Sequence, residues 1–257
     1  MRGWWQELAG LVLPVDCTGC GAARVLLCAG CAQALSGAAA GCVRPSPGPA
    51  GLPVVYAAAA YEGAVREAVL AHKERGALPL AGPLGAALAA AVRGCLGAGV
   101  GGGGAWAAGE ELVLVPVPSA RRQVRARGHD PARRIALAAS ARLRRAGVPS
   151  RVASVLSHVR PVSDQAGLGA RERRENLAGA LGVRRGGAVR LPAGARIVLV
   201  DDVITTGATL AEAARAVRAA SLGASVGWVV GAAVVAAPPG SFVRNRSTTR
   251  TDQRSCE

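Results

Sequence analysis

One stretch of fourteen residues does most to limit what this chain can fold into: Arg196-Ile197-Val198-Leu199-Val200-Asp201-Asp202-Val203-Ile204-Thr205-Thr206-Gly207-Ala208-Thr209. Its apolar, mostly β-branched residues 197–200 and Val203 predict a strand buried on both faces of a parallel sheet. Two carboxylates end the strand, and a turn bearing hydroxyls and a glycine follows. Leu210, Ala213, Ala214, Val217 and Ala220 then recur at helical spacing. The unit is strand, loop, helix.

Open α/β sheets bind ligands outside the carboxyl ends of their strands, and a loop entering a helix offers free backbone amides and the positive end of the dipole. The turn at residues 205–209 suits a phosphate: Gly207 lets the backbone approach closely, and three threonine hydroxyls add donors. Paired acids touching that phosphate would repel it. Asp201 and Asp202 fit the site if they accept hydrogen bonds from sugar hydroxyls, with a divalent cation nearby to moderate their charge.

The run from residue 200 to residue 209 resembles the phosphoribosyl pyrophosphate (PRPP) motif of type I phosphoribosyltransferases. The resemblance implies an α/β fold with a central, mostly parallel sheet flanked by helices. It also implies PRPP as ligand with Mg2+ as cofactor. Asp201 and Asp202 would then be the catalytic pair on the ribose hydroxyls, and Thr205, Thr206, Gly207, Ala208 and Thr209 would cradle the 5′-phosphate.

Composition sets the outer limits. The 257 residues, 51% of them hydrophobic, suffice for a buried core. No run reaches the ~18 apolar residues of a membrane span, residues 226–237 being the longest candidate. The N-terminus makes a poor secretory signal, and a cytoplasmic protein is expected. The formal charge of +15 favours polyanions, PRPP and single-stranded nucleic acid among them. Lys73 is the one lysine beside thirty arginines, a skew as compatible with coding-genome composition as with a selected surface. At 3% aromatic residues there are few platforms for stacking bases.

Near the N-terminus, Cys17-x2-Cys20 and Cys28-x2-Cys31 form two CxxC pairs. In a reducing compartment this spacing predicts a closed four-thiolate structural zinc site over residues 10–43, since each pair places two thiolates on a tight turn. A redox CxxC would account for one pair only. Cys42 reads as a free thiol, and Cys95 and Cys256 have no assigned role. Proline and small residues at 36–53 mark a linker or irregular cover. A second domain is expected over residues 54–237. It opens with a strand at 54–60, a helix in which Val65, Val69 and His72 share a face, and another from Pro83 with Leu84, Leu88, Val92 and Cys95 on one stripe. Residues 97–104 are a glycine-rich break, and residues 238–257 read as a disordered tail.

A further strand starts at Leu112 and ends at Ser119. By the same resemblance Ser119, Ala120, Arg121 and Arg122 would bind the pyrophosphate, for which a forked guanidinium is suited; the alternative is a solvated arginine run at a helix start. His129, alone in a basic loop, reads as a surface or fold contact. Pro131 begins an Ala/Arg-rich helix ending at Gly147. The polar residues 160–176 read as a lid or a wet helix face.

Taken together, the four-cysteine module, Tyr61-Glu62-Gly63, Lys73, Val115-Pro116-Val117-Pro118, Arg125-x-Arg127-Gly128, Gln165-x2-Leu168, Arg173-x2-Asn176 and the PRPP loop resemble the ComF family over residues 10–235. That resemblance implies an amidophosphoribosyltransferase-like domain with a zinc ribbon and, for some members, a part in DNA uptake during natural transformation. Gly128-His129-Asp130-Pro131 stands where the family often has Gly-Phe-Asn-Gln, which puts that asparagine's contacts in doubt. Two functions follow. One is phosphoribosyl transfer to an unidentified acceptor; the other is a non-catalytic or regulatory PRPP-fold protein that binds single-stranded DNA and works with DNA-uptake proteins.

Overall fold

The computed structural model describes residues 16–99, 110–160, 172, 176–221 and 227–243. Several expectations fall outside them: residues 10–15 of the cysteine module, most of the glycine-rich break, most of the polar stretch at 160–176 with Gln165, Leu168 and Arg173, and the tail from residue 244 with Cys256.

In chain order the elements are α1 (Ala29–Ala34), β1 (Gly41–Val43), β2 (Val55–Ala60), α2 (Gly63–Glu74), α3 (Ala81–Gly99), β3 (Leu112–Pro116), α4 (Arg121–Arg127), α5 (Pro131–Arg145), β4 (Ser150–Val152), β5 (Leu156–His158), β6 (Leu181–Val183), β7 (Arg196–Val203), α6 (Ala208–Ser221) and β8 (Trp228–Ala237). Six strands form one sheet in the order β1-β2-β8-β7-β3-β4, and β5 and β6 form a separate antiparallel pair. Every neighbour in the large sheet runs parallel except β1 with β2. This is the α/β architecture that the strand-loop-helix pattern predicts, with helices on both faces.

The strand β7 reads as continuously apolar because both of its faces are covered. Val198 and Val200 join Leu84, Leu88, Val92, Ile135 and Leu143 of α3 and α5 on one side. Ile197 and Leu199 join Leu210, Ala213 and Val217 of α6 on the other. Adjacent strands on both sides leave no bare edge there, so β7 is the centre of the molecule.

The helix α3 begins at Ala81, two residues before Pro83, which the first turn of a helix tolerates. By length and composition, the 20 residues Leu78–Gly97 suffice to cross a membrane, a longer candidate than residues 226–237. Leu84, Leu88 and Val92 are fully buried against the sheet, which is the position of a core helix. Glu212 of α6, only 6% exposed, accepts from the Leu181 amide at 3.0 Å, while Arg215 donates to the Leu181 carbonyl at 2.9 Å. Burial alone would raise the Glu212 pKa, but Arg215 and the backbone amides hold it below the usual range. This group fastens β6 to α6.

Two stretches differ from their sequence expectation. Gly41–Val43, within the span assigned to the cysteine module, is the antiparallel edge strand β1. Residues 241–243, within the span assigned to the tail, close that edge: Arg44 N donates to Ser241 O at 2.7 Å, Val243 N donates to Cys42 O at 3.0 Å, and Val43 bridges Phe242. Such short pieces gain their order from the sheet they join and carry no period of their own. Cys42 is disulfide-bonded, not free.

Candidate functional site

The paired acids stand at the carboxyl end of β7. Asp201 Oδ1 accepts from the Asp202 amide and Asp202 Oδ1 from the Val203 amide, both at 2.8 Å, so the backbone fixes each carboxylate. Asp202 is 4% exposed. Its Oδ2 meets the Lys73 ammonium at 2.7 Å, an ion pair that joins the last turn of α2 to the centre of the sheet. Burial, with the Asp202 charge adding to it, pushes the Asp201 carboxyl well above the carboxylate range. Burial alone would lower the Lys73 pKa, yet Asp202 and Asp201 together raise it. Two acids therefore share one built-in cation.

Past Ile204 the chain turns at Gly207, whose φ of +76° is left-handed. A side chain here would also meet Leu52 at 2.9 Å, so the linker closes over the turn. Arg218 of α6 donates to Gly51 O at 2.9 Å and holds the linker there. Thr205 is exposed, Thr206 and Thr209 are half-buried, and Ala208 opens α6. The Thr206 hydroxyl accepts from the Ala208 amide at 3.4 Å, while the next amides of α6 have no intrahelical partner by geometry. Free N–H groups at a helix N-terminus with hydroxyls on the same short turn are chemically suited to an oxyanion.

Register puts the other predicted loop beside this one. Pro116 of β3 lies level with Val200 of β7, and Val117 N donates to Val200 O at 2.9 Å. Ser119 and Ala120 are half-buried as the chain leaves the sheet; Arg121 and Arg122 are exposed on the first turn of α4. His158 of β5 anchors the loop through a 3.2 Å contact from Nε2 to Pro118 O, and its Nδ1 is buried without a partner among the described residues. The arginine run thus begins a helix, on the loop that leaves the strand neighbouring the one with the acids.

His129 is a fold contact. It is 8% exposed, with Nε2 3.0 Å from His72 O and Nδ1 3.1 Å from Arg127 O, and it packs edge-on to His72 at 5.4 Å. Burial depresses the His72 pKa. Arg127 grips Glu74 through Nε and Nη2 at 2.9 and 2.7 Å. Three consecutive residues ending α2 therefore reach three targets: His72 to His129, Lys73 to Asp202, and Glu74 to Arg127. In the sequence, Lys73 stands out only through the resemblance. A helix pattern cannot reveal that its ammonium lands on a carboxylate 129 positions later. Its being the one lysine among so many arginines was the available signal.

The four cysteines gather as spacing predicts. Their Sγ atoms all lie within 4.8 Å of one another, Cys17 and Cys31 buried, Cys28 half-buried and Cys20 exposed. Tetrahedral Zn–S bonds of ~2.3 Å would set the sulfurs ~3.8 Å apart, close to the 3.6 Å between Cys20 and Cys28. The backbone amide of Cys28 and then those of Gly19 and Cys20 pull the Cys17 thiol down to about 6 against its burial. Burial and the crowded sulfurs push Cys31 up. Four thiolates cannot coexist at this spacing without a cation, so the donor set fits zinc. The module rests on α2 through Gly19, where an added side chain would meet Ala64 at 2.8 Å, and Leu26, Leu27 and Leu35 join the core.

No curated protein matches the chain. Residues 139–253 match the family model of the phosphoribosyl transferase domain, a span that includes β4 to β8, both aspartates and the threonine loop. The matched span, which is centred on β7 and the helix that follows it, is similar to a phosphoribosyl transferase domain over somewhat less than half of the chain.

Proposed function

We propose that the protein is a ComF-like phosphoribosyltransferase that binds PRPP with Mg2+ and transfers the phosphoribosyl group to an acceptor. The observation that carries this reading is the acid pair and the threonine loop on one strand-to-helix turn within the matched domain. The helix amides with Thr205, Thr206 and Thr209 hold the 5′-phosphate, and Gly207 lets the backbone come close. Asp201 and Asp202 accept hydrogen bonds from the ribose hydroxyls and fix the ring. Ser119, Ala120, Arg121 and Arg122 receive the pyrophosphate.

The acceptor's lone pair forms a bond to ribose C1 while the C1–O bond breaks, its electrons leaving on pyrophosphate. Positive charge grows on the sugar, and the adjacent carboxylates stabilise it. Asp201 has a carboxylate oxygen to offer Mg2+, which when bound screens the pyrophosphate charge and would draw its remaining ligands from the phosphates and water. Lys73 partly neutralises the pair and holds Asp202 in place. The cysteine module carries structural zinc on Cys17, Cys20, Cys28 and Cys31.

The test is calorimetric titration with Mg-PRPP. A saturable heat in the wild-type chain that Asp201→Asn/Asp202→Asn abolishes supports the reading; its absence from folded, zinc-loaded protein overturns it. Pyrophosphate release across candidate acceptors then reports turnover. The +15 charge favours a second reading, in which a non-catalytic PRPP-fold protein binds single-stranded DNA in uptake. It requires an affinity that falls steeply with salt, and a flat salt dependence excludes it.

A further inference from the structure

A cleft of 470 Å3 opens between the last turn of α2 and α4, with Lys73, Glu74, Arg75, Gln123, Arg127 and His129 in its wall. Three of these carry positive charge and one is acidic. One side chain links the cleft to the paired acids, because Lys73 in its wall is the residue bound to Asp202. The ion pair between its wall residues Arg127 and Glu74 is lopsided: the Arg127 side chain is 16% exposed and that of Glu74 45%. The guanidinium is part of the wall, and the carboxylate reaches it from the solvent side. Arg127 is held in place from behind, its carbonyl against His129 and His129 against α2. Arg127 Nη1 is buried with no partner among the described residues, an unpaired donor of the kind folded proteins rarely leave.

We propose that Glu74 is a placeholder, and that in the liganded protein an oxyanion of the phosphate or carboxylate class takes its seat on Arg127. A guanidinium fork binds a carboxylate and a phosphate by the same two-point geometry, so the internal acid mimics the ligand that displaces it. Exchange costs little, because a half-exposed carboxylate regains its hydration on leaving. Resting on the phosphoribosyl-transfer reading, this oxyanion has two sources: the pyrophosphate end of PRPP, or an acidic group on the acceptor.

Inorganic pyrophosphate and benzoate are titrated into the full chain and three variants. Glu74→Gln, which keeps the shape of the cleft, is expected to tighten one probe about tenfold, and Arg127→Met to weaken the same probe by a similar factor. Glu62→Gln removes an equal charge from the far end of α2 and is expected to change neither. Opposite signs for Glu74 and Arg127 support the placeholder. A Glu74→Gln affinity that is unchanged, weaker, or matched by Glu62→Gln overturns it, even if Arg127→Met does not fold. PRPP and ribose 5-phosphate identify the source: if PRPP alone follows the pyrophosphate pattern, the leaving group fills the seat; if only benzoate responds, the acceptor does. Should PRPP fail to bind the wild-type chain while a probe shows opposite signs, the placeholder stands and the phosphoribosyl-transfer reading falls.

Discussion

At the residue scale the site stores unfavourable charge. Asp201 is raised by burial and by Asp202, so the folded state holds its proton more tightly than the unfolded chain does. This carboxyl's contribution to stability is therefore fullest below the unfolded value of ~3.9 and declines as pH rises through the folded one. Asp201→Asn keeps the oxygen that accepts from the Asp202 amide and removes the charge. Urea denaturation at pH 7 should find it more stable than wild type, by on the order of 1 kcal/mol, with the gain vanishing near pH 3. PRPP affinity should fall in the same variant. A substitution that stabilises the fold while weakening the ligand marks the carboxylate as retained for binding.

At the element scale β7 and α6 are joined by a turn that needs left-handed backbone at Gly207. Gly207→Ala would force a side chain into left-handed backbone and against Leu52. A loss of roughly 1–2 kcal/mol in chemical denaturation is expected, with a larger proportional loss of PRPP affinity, since the donors nearest the phosphate shift first. The sequence made this unit legible because β7 is covered on both faces and α6 on one, so apolar runs and helical spacing survive as readable pattern. The pieces that stayed hidden had no such imprint. Strand β1 is three residues long, and β5 and β6 pair only with each other. The helix α4 has no buried residue to set a period, so the sequence offers its start only as one of two alternatives. Lys73 and the Glu74–Arg127 fork were hidden for a different reason. They are meetings between distant residues, and charge on a helix end looks the same whether it faces water or a carboxylate.

At the scale of the whole molecule, the cysteine module and the sheet are packed as one body, because Leu26, Leu27 and Leu35 join the same core as α2 and α3. Zinc bound to the four thiolates would then stabilise more than its own module. Elemental analysis should find one zinc per chain, and chelation should lower the melting temperature by several degrees and also weaken PRPP binding, because α2 carries Lys73 to the acids. Cys20→Ser, at the exposed ligand, should lose metal with the least damage to packing. The pairing of residues 42–44 with 241–243 has a practical corollary for anyone shortening this protein. A version stopped at Ala237 would keep every strand of the large sheet yet bare the outer hydrogen-bonding groups of β1, inviting a neighbouring copy to dock there edge to edge.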